Sequence, residues 1–327
     1  MKFNIARQPL PLAFLTLVAL ALVAMCCGGT PDGVGAEAGP LAPVLGQVIA
    51  GFQASHPFWA RLTGGFLLLF TGLVVGRISI RYKLYTSNSF LPLPLYGMAV
   101  CGVALGANYL VGLTASALLA LALKNGCRAC RTDYGFDAVF RCGLYLGVLP
   151  LVSAPTLSLW LMLPLALLIF RRTLREAAVA VIGLLLPLLV ACYLTWGFGG
   201  GFLDPLTTLW QGLVVGEPFS FVWAFSLPKL LLFITLLLLD LLAVILLISN
   251  RPTGGNKPRT ILLFATGSLV IALLGLLLPS ASPESIALVA APSALVLPLL
   301  FLRSHPIIGL LLYLLWLTAT FALLFLQ

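Results

Sequence analysis

The chain has 327 residues, of which 61% are hydrophobic and only 8% are charged. This composition excludes a soluble globular protein, because most of the chain must face lipid or other apolar helices. The net charge of +9 does not indicate nucleic-acid binding, since the basic residues stand in short clusters between apolar segments, where they orient a membrane protein. The sequence therefore predicts an all-α, polytopic helical bundle in a membrane.

The apolar segments predict about eleven transmembrane helices in a single transmembrane domain, 1–327. They cover approximately residues 10–27, 62–76, 89–106, 107–123, 143–153, 156–170, 177–196, 229–249, 260–278, 286–302 and 307–325. The first segment also resembles a lipoprotein signal. However, Met25 precedes Cys26 where such a signal needs a small residue, so we expect this helix to stay uncleaved.

An apolar hairpin within residues 143–189 organises the threading of the other helices. It bends at residues 153–155 and closes with a basic turn that contains Arg171, Arg172 and Arg175. Basic residues are retained on the cytoplasmic side of a bacterial inner membrane. The closed end is therefore expected inside and the bend outside.

The charges of the whole chain follow the same orientation. With the N-terminus inside, sixteen of the 18 basic residues and three acidic residues fall inside, a net charge of +13. Two basic residues, Arg61 and Lys229, and five acidic residues fall outside, a net charge of −3. Because wrongly assigned spans would scatter the basic residues over both sides, this distribution predicts an inside N-terminus and an outside C-terminus.

Two outer segments are long enough to form a site. Residues 28–60 are rich in Gly and Pro and contain no Lys or Arg, and residues 41–52 within them are expected to form a juxtamembrane helix along the interface. Residues 197–228 are rich in Phe and Trp, which favour the membrane interface, so this segment is predicted to lie outside or to re-enter the bilayer.

Four stretches together resemble an uncharacterised integral-membrane family of Bacteroidetes, known as a domain of unknown function. They are GRISIRYKLYTSNSF (76–90), ALGANYLVGLTASALLALAL (104–123), DAVFRCGLYLGVLPLV (137–152) and LLIFRRTLREAAVAVIGLLLPLL (167–189). The resemblance covers roughly residues 60–195 and implies no assigned activity.

The layout of residues 28–190 is also similar to the membrane glycosyltransferases that use polyprenyl-phosphate sugars. An acidic outer loop and a juxtamembrane helix precede ARLTGGFLLLFTGLVVG, and a G-L-x-x-G hairpin ends in a basic turn. The similarity implies that an outer-loop carboxylate, Asp32 or Glu37, serves as general base or as ligand of a divalent cation. The adjacent acidic pair of many such enzymes is missing here, and no Lys follows the first half of the hairpin.

Other outer residues would complete such a site. Arg61 and Lys229 are the outer-face candidates for binding a phosphate, and Asp204 and Glu217 flank tryptophans that could contact an isoprenoid or a sugar. The alternative for the acidic loops is that they are solvated and lie outside only because basic residues are retained inside on insertion. The alternative for the aromatic residues is that they form a belt at the membrane interface. Outside the glycosyltransferase hypothesis the sequence suggests no metal or cofactor, since the C-x-x-C of Cys127 lacks the second pair of a zinc site.

Asp240 lies near the middle of an apolar span. A carboxylate there costs about 2.5–3.5 kcal/mol on insertion scales, so it should face the bundle interior and find a polar partner, or stay protonated. The candidate partners are Asn108, Tyr109, Thr114 and Ser116. Asp240 would then lock helices together or take part in transport.

These observations leave three hypotheses for the function. The leading one is a non-catalytic membrane subunit or scaffold in envelope biogenesis or secretion, with other envelope proteins as partners. The second is glycosyl transfer on the outer face from a polyprenyl-phosphate lipid, and the third is a transporter that uses Asp240. No nucleotide-binding loop, dinucleotide fingerprint, zinc-protease helix or nucleophile elbow is present in the sequence.

Overall fold

The structure is a computed structural model that describes residues 8–27, 43–85, 89–129, 135–214, 222, 225–249 and 256–326. Within these ranges the regular secondary structure is helical and contains no strand. The α-helices of the described residues are α1 (Leu10–Cys27), α2 (Val44–Ser55), α3 (Pro57–Arg81), α4 (Pro92–Ala99), α5 (Tyr109–Ala129), α6 (Phe136–Val152), α7 (Met162–Ile169), α8 (Leu174–Gly197), α9 (Asp204–Val214), α10 (Leu227–Ser249), α11 (Asn256–Gly275), α12 (Ala287–Val296), α13 (Pro298–Arg303) and α14 (Pro306–Leu326).

Seven helical segments of the described chain are long and apolar enough to cross a membrane, and four shorter ones are also apolar. The prediction of an all-α polytopic membrane bundle is therefore confirmed. Each predicted span coincides with one helix or with consecutive helical pieces. The ends differ where polar residues continue a helix, as in α3, which begins at Pro57 and runs through Arg77 to Arg81 instead of covering only 62–76.

Two of the central spans are broken into short pieces. A π-helical turn, Val100–Ala104, extends α4 and leaves the helical path at Leu105, whose ψ of 111° is extended. The span that holds α12 and α13 begins with a 3₁₀ segment, Pro283–Ile286. Proline stands in the first turn of several pieces, where its missing N–H removes no hydrogen bond. These pieces form the most buried part of the bundle.

The predicted hairpin is present, with different helix lengths. Its first helix, α6, begins at Phe136 and not at residue 143, so it has 17 residues. The chain bends at Ser153, which is extended, and continues as a 3₁₀ segment, Ala154–Leu161, before α7. The second arm of the hairpin is therefore only partly α-helical.

The most extensive helix pairing joins α6 to α8. Gly143 and Gly147 stand one turn apart on α6, and a side chain at either position would collide with the α8 carbonyls of Ala180 and Leu184. Gly183 of α8 likewise faces the backbone of α6. Small residues at this spacing let two helix backbones approach closely, which is a common way for membrane helices to associate.

The basic turn before α8 is fixed by a buried acid. Glu176 pairs with Arg172 at 3.0 Å and forms a capping box with Thr173 at the start of α8. It also accepts a hydrogen bond from the backbone N–H of Gly135, which precedes α6. The turn therefore joins both helices of the α6–α8 pair on the face that carries most of the basic residues, here called the basic face.

On the opposite face, here called the outer face, α2 lies across the ends of two helices. Its Gly46 packs against the carbonyl of Val152 at the end of α6, and its Gln53 bonds to the chain just before and within α5. The helix covers residues 44–55, three residues further along the chain than the predicted 41–52. It thereby brings the end of the first outer segment onto the bundle.

Candidate functional site

The break between α4 and α5 lies on the outer face and is held by three side chains from distant parts of the chain. The Nζ of Lys229, in the first turn of α10, donates to the carbonyl of Leu105 at 3.2 Å. Glu284 Oε1 accepts from the backbone N–H of Asn108 at 3.0 Å. We call Lys229, Glu284 and Gln53, together with the segment 105–110, the outer cluster.

Both the nitrogen and the oxygen of the Gln53 side-chain amide form hydrogen bonds with this segment. Its Nε2 donates to the carbonyl of Ala107 at 2.5 Å, and its Oε1 accepts from the N–H of Leu110 at 3.2 Å. A helix break leaves carbonyl and N–H groups without intrahelical partners, and in a membrane such groups must be satisfied by neighbours. Here the side chains of Gln53, Lys229 and Glu284 satisfy carbonyl and N–H groups of the break.

Glu284 is the most buried of the three side chains that hold the segment 105–110, with 6% of its surface exposed. Two glycines make room for it: a Cβ on Gly106 would lie 2.6 Å from Oε1, and a Cβ on Gly112 would lie 2.6 Å from the carbonyl oxygen of Glu284. Its charge acts on Lys229, which is only half-buried. The acid therefore helps to hold an ammonium group at the edge of the bundle.

Arg61 lies at the other end of the same segment. It is half-buried in the first turns of α3, and its charge acts on the hydroxyl of Tyr109 at the start of α5. The structure thus places Arg61 and Lys229, the two basic residues predicted outside, beside the two ends of the segment 105–110.

An apolar groove of about 480 Å³ runs between α10 and α14, and it begins at Pro228, which precedes Lys229 in the chain. It occupies the outer halves of both helices, and almost all of its walls are hydrocarbon. The residues that line it are Pro228, Leu231, Leu232, Thr235, Leu238, Leu239, Leu312, Leu315, Trp316, Ala319, Ala322 and Leu323. A cation at the interface end of an apolar groove is suited to a lipid with an anionic headgroup.

The remaining candidates from the sequence lie elsewhere. Asp32, Glu37 and Glu217 are outside the described residues. Asp204 is exposed at the start of α9, where its Oδ2 accepts from the N–H of Gly201 at 2.6 Å. Since α9 packs on α6, α8 and the 3₁₀ segment of the hairpin, Asp204 belongs to a different part of the outer face from the outer cluster.

Asp240 is buried, with 2% of its surface exposed, and its partner differs from those expected. The hydroxyl of Ser293, on α12, donates to Asp240 Oδ2. Of the four residues proposed as partners, Ser116 instead shares a hydrogen bond of 3.0 Å with the hydroxyl of Tyr96. Hydropathy places a residue at a depth in the membrane, but it does not tell which helix will stand opposite.

The described residues contain no group of three or more His, Cys, Asp or Glu side chains that could hold a metal ion. Cys127 is buried in α5, and Cys130, the second cysteine of the C-x-x-C, lies outside the described residues.

Sequence reasoning missed Glu284 and Gln53. Glu284 counted only as one of the outer negative charges, although it follows Pro283 at the start of an apolar span, where a carboxylate is costly unless it is paired. Gln53 carries no charge and has no motif around it. Its role follows only from the position of α2 over the break.

A scan of protein-family models and a search of curated proteins gave no match, so the resemblance to the Bacteroidetes family stays a prediction. Among solved structures, the chain is similar to the crystal structure of ArnT from Cupriavidus metallidurans bound to undecaprenyl phosphate. The TM-score is 0.53 and the sequence identity is 16%, over 94% of this chain and 60% of the ArnT chain. This chain thus spans three fifths of the length of ArnT. At this identity, the likeness shows a shared polytopic membrane fold.

Proposed function

We propose that the chain is a glycosyltransferase of the bacterial inner membrane that uses a polyprenyl-phosphate-linked sugar on the outer face. The observation that carries the proposal is the apolar groove that begins at Pro228, next to Lys229 in the chain, in a protein whose fold is shared with one crystallised with undecaprenyl phosphate. A scaffold, the leading hypothesis from the sequence, needs neither the groove nor the outer cluster.

The donor lipid would bind in two parts. Its isoprenoid tail would lie along α10 and α14, where contact with Leu231, Leu315 and their neighbours replaces contact with lipid. Its phosphate would meet the ammonium of Lys229, a charge-assisted contact. Lys229 is already oriented by the carbonyl of Leu105 and by the charge of Glu284, so little side-chain freedom remains to be lost on binding.

In the reaction, an acceptor hydroxyl attacks the anomeric carbon of the sugar, and the bond between that carbon and the phosphate oxygen breaks. Polyprenyl phosphate leaves with the electron pair, and its added charge is stabilised by Lys229, with Arg61 as the second outer cation. The proton of the hydroxyl passes to the carboxylate of Asp32 or Glu37, the general-base candidates implied by the resemblance. The acceptor then carries the sugar.

Binding of undecaprenyl phosphate to the purified full chain tests the first part of the proposal. We expect saturable binding by native mass spectrometry, reduced about tenfold or more in Lys229→Gln, because one charge-assisted contact is lost. Ala319→Trp should block the groove and weaken binding as well. Leu241→Trp is the control for the added indole, since Leu241 is exposed on α10 and does not line the groove. Equal binding by all four proteins would contradict the proposal.

Turnover tests the second part. Asp32→Asn or Glu37→Gln should abolish the release of undecaprenyl phosphate from lipid-linked sugars in membranes, followed by mass spectrometry, while leaving undecaprenyl phosphate binding intact. Asp204→Asn is the control, because Asp204 lies apart from the outer cluster. Unchanged turnover in both variants would reject the assigned bases, and absent turnover in the native chain would favour the scaffold hypothesis.

A further inference from the structure

The basic face carries a second groove that the proposed reaction does not use. It has a volume of about 610 Å³ and lies where the end of α3 meets the start of α1 and the residues before α4. Its walls include Leu10, Leu73, Phe90 and Leu93, and two arginines stand at its rim. This volume lies within the range of cavities that enclose a small-molecule ligand.

The two arginines are arranged as a pair on one face of α3. Leu73, Arg77 and Arg81 follow one another at intervals of four residues, so they form a stripe along the helix, and all three are exposed. The stripe changes from apolar to basic toward the helix end. That order matches the passage from the hydrocarbon of a leaflet to its headgroups.

The positive charge at the rim is not neutralised within the described chain. Neither Arg77 nor Arg81 has an acidic partner there, in contrast to Arg141 and Arg172, which pair with acids. The charges of Arg77, Arg81 and Arg128 all act on Lys124 of α5, so four basic side chains gather on this side of the bundle. Such a concentration of positive charge beside an apolar groove is suited to binding an amphipathic anion, with a charged group and a hydrocarbon chain.

We propose that this groove binds an anionic phospholipid of the inner leaflet, of the phosphatidylglycerol type. Its phosphate lies between Arg77 and Arg81, one helical turn apart, where guanidinium groups can contact phosphate oxygens in pairs. An acyl chain follows the apolar wall past Leu73 and Leu93. The anionic headgroup is preferred over a zwitterionic one because the rim carries only positive charge.

The test compares phosphatidylglycerol, phosphatidylcholine and inorganic phosphate as ligands of the full chain by native mass spectrometry. We expect phosphatidylglycerol to be retained, phosphatidylcholine to be retained less, and inorganic phosphate not to compete. Arg77→Gln/Arg81→Gln should weaken phosphatidylglycerol binding about 25-fold, since each basic residue near an anionic lipid contributes about fivefold. Arg77→Lys/Arg81→Lys should lose less.

Two further variants separate a site from a general charge effect. Arg175→Gln/Arg259→Gln removes the same charge from exposed positions outside the groove and should leave binding unchanged. Leu73→Trp keeps both arginines and fills the groove, so it should weaken binding without any change in charge. The proposal is overturned if the two double Gln variants lose binding equally, if Leu73→Trp binds as well as the native chain, or if phosphatidylcholine competes equally.

Discussion

Glu284 stabilises the outer break through its acceptor oxygen, and two substitutions separate this role from its charge. Glu284→Ala leaves the N–H of Asn108 without a partner in a mostly buried place, which should lower the free energy of unfolding by about 1–3 kcal/mol. Glu284→Gln keeps an acceptor oxygen and should cost less than about 1 kcal/mol. Unfolding by denaturant in mixed micelles measures both. Equal losses would show that the attraction to Lys229 matters more than the hydrogen bond.

Asp240 and Ser293 join α10 to α12 inside the bundle, and a double-mutant cycle measures this link. Asp240→Ala and Ser293→Ala each remove the hydrogen bond and should show a coupling energy of about 0.6–1.7 kcal/mol, the mean and the maximum found for hydrogen bonds between membrane helices. Ser268→Ala is the control, because its buried hydroxyl bonds to Phe264 within its own helix. Asp240→Ala combined with Ser268→Ala should therefore be additive.

Substitution of Asp240 also distinguishes a structural role of this residue from a role in transport. If Asp240 serves only to lock helices, Asp240→Asn leaves sugar transfer intact, since an amide oxygen can still accept from Ser293. A transporter that relies on a titrating carboxylate loses its activity in this variant, because the amide carries no exchangeable charge. Flux in proteoliposomes abolished by Asp240→Asn, with unchanged transfer-product formation, would support the transport hypothesis.

At the scale of helices, the α6–α8 contact depends on the absence of side chains. Gly147→Ala places a methyl group against the carbonyl of Leu184, so the helices must separate, at a cost of about 1–3 kcal/mol in unfolding free energy. Gly51→Ala is a matched change in α2 with open space around it and should be neutral or slightly stabilising. Equal thermal stability of the two variants in detergent would contradict the close packing.

The helices themselves follow from the sequence, whereas their interruptions do not. Long apolar segments such as α10 are visible because insertion depends on hydropathy summed along the chain. The break at Leu105 is not visible, because it depends on partners at positions 53, 229 and 284 that satisfy the freed backbone groups. The candidate site was therefore predictable in its cations, Arg61 and Lys229, but not in the contacts that fix them.

At the scale of the whole molecule, polar contacts fix the ends of the helices on both faces of the bundle. On the outer face, the segment 105–110 is bonded by Lys229, Glu284 and Gln53, three residues that the predicted threading puts outside. On the basic face, Glu176 bonds to Arg172 and to the chain before α6. The helix ends that share polar contacts are thus the same ones that the charge distribution places on one side of the membrane. The two grooves lie at opposite ends of the bundle.

This sorting predicts which face meets the cytoplasm. In a background with the seven native cysteines replaced, Thr207→Cys on α9 should react with a membrane-impermeant maleimide in intact spheroplasts, because it is exposed on the outer face. Arg175→Cys, exposed at the start of α8, should react only after lysis. Sixteen of the 18 basic residues oppose the reverse orientation. Labelling of Arg175→Cys before lysis would invert the assignment and place Lys229 and the start of the groove between α10 and α14 on the cytoplasmic side, where an outer-face transferase could not use them.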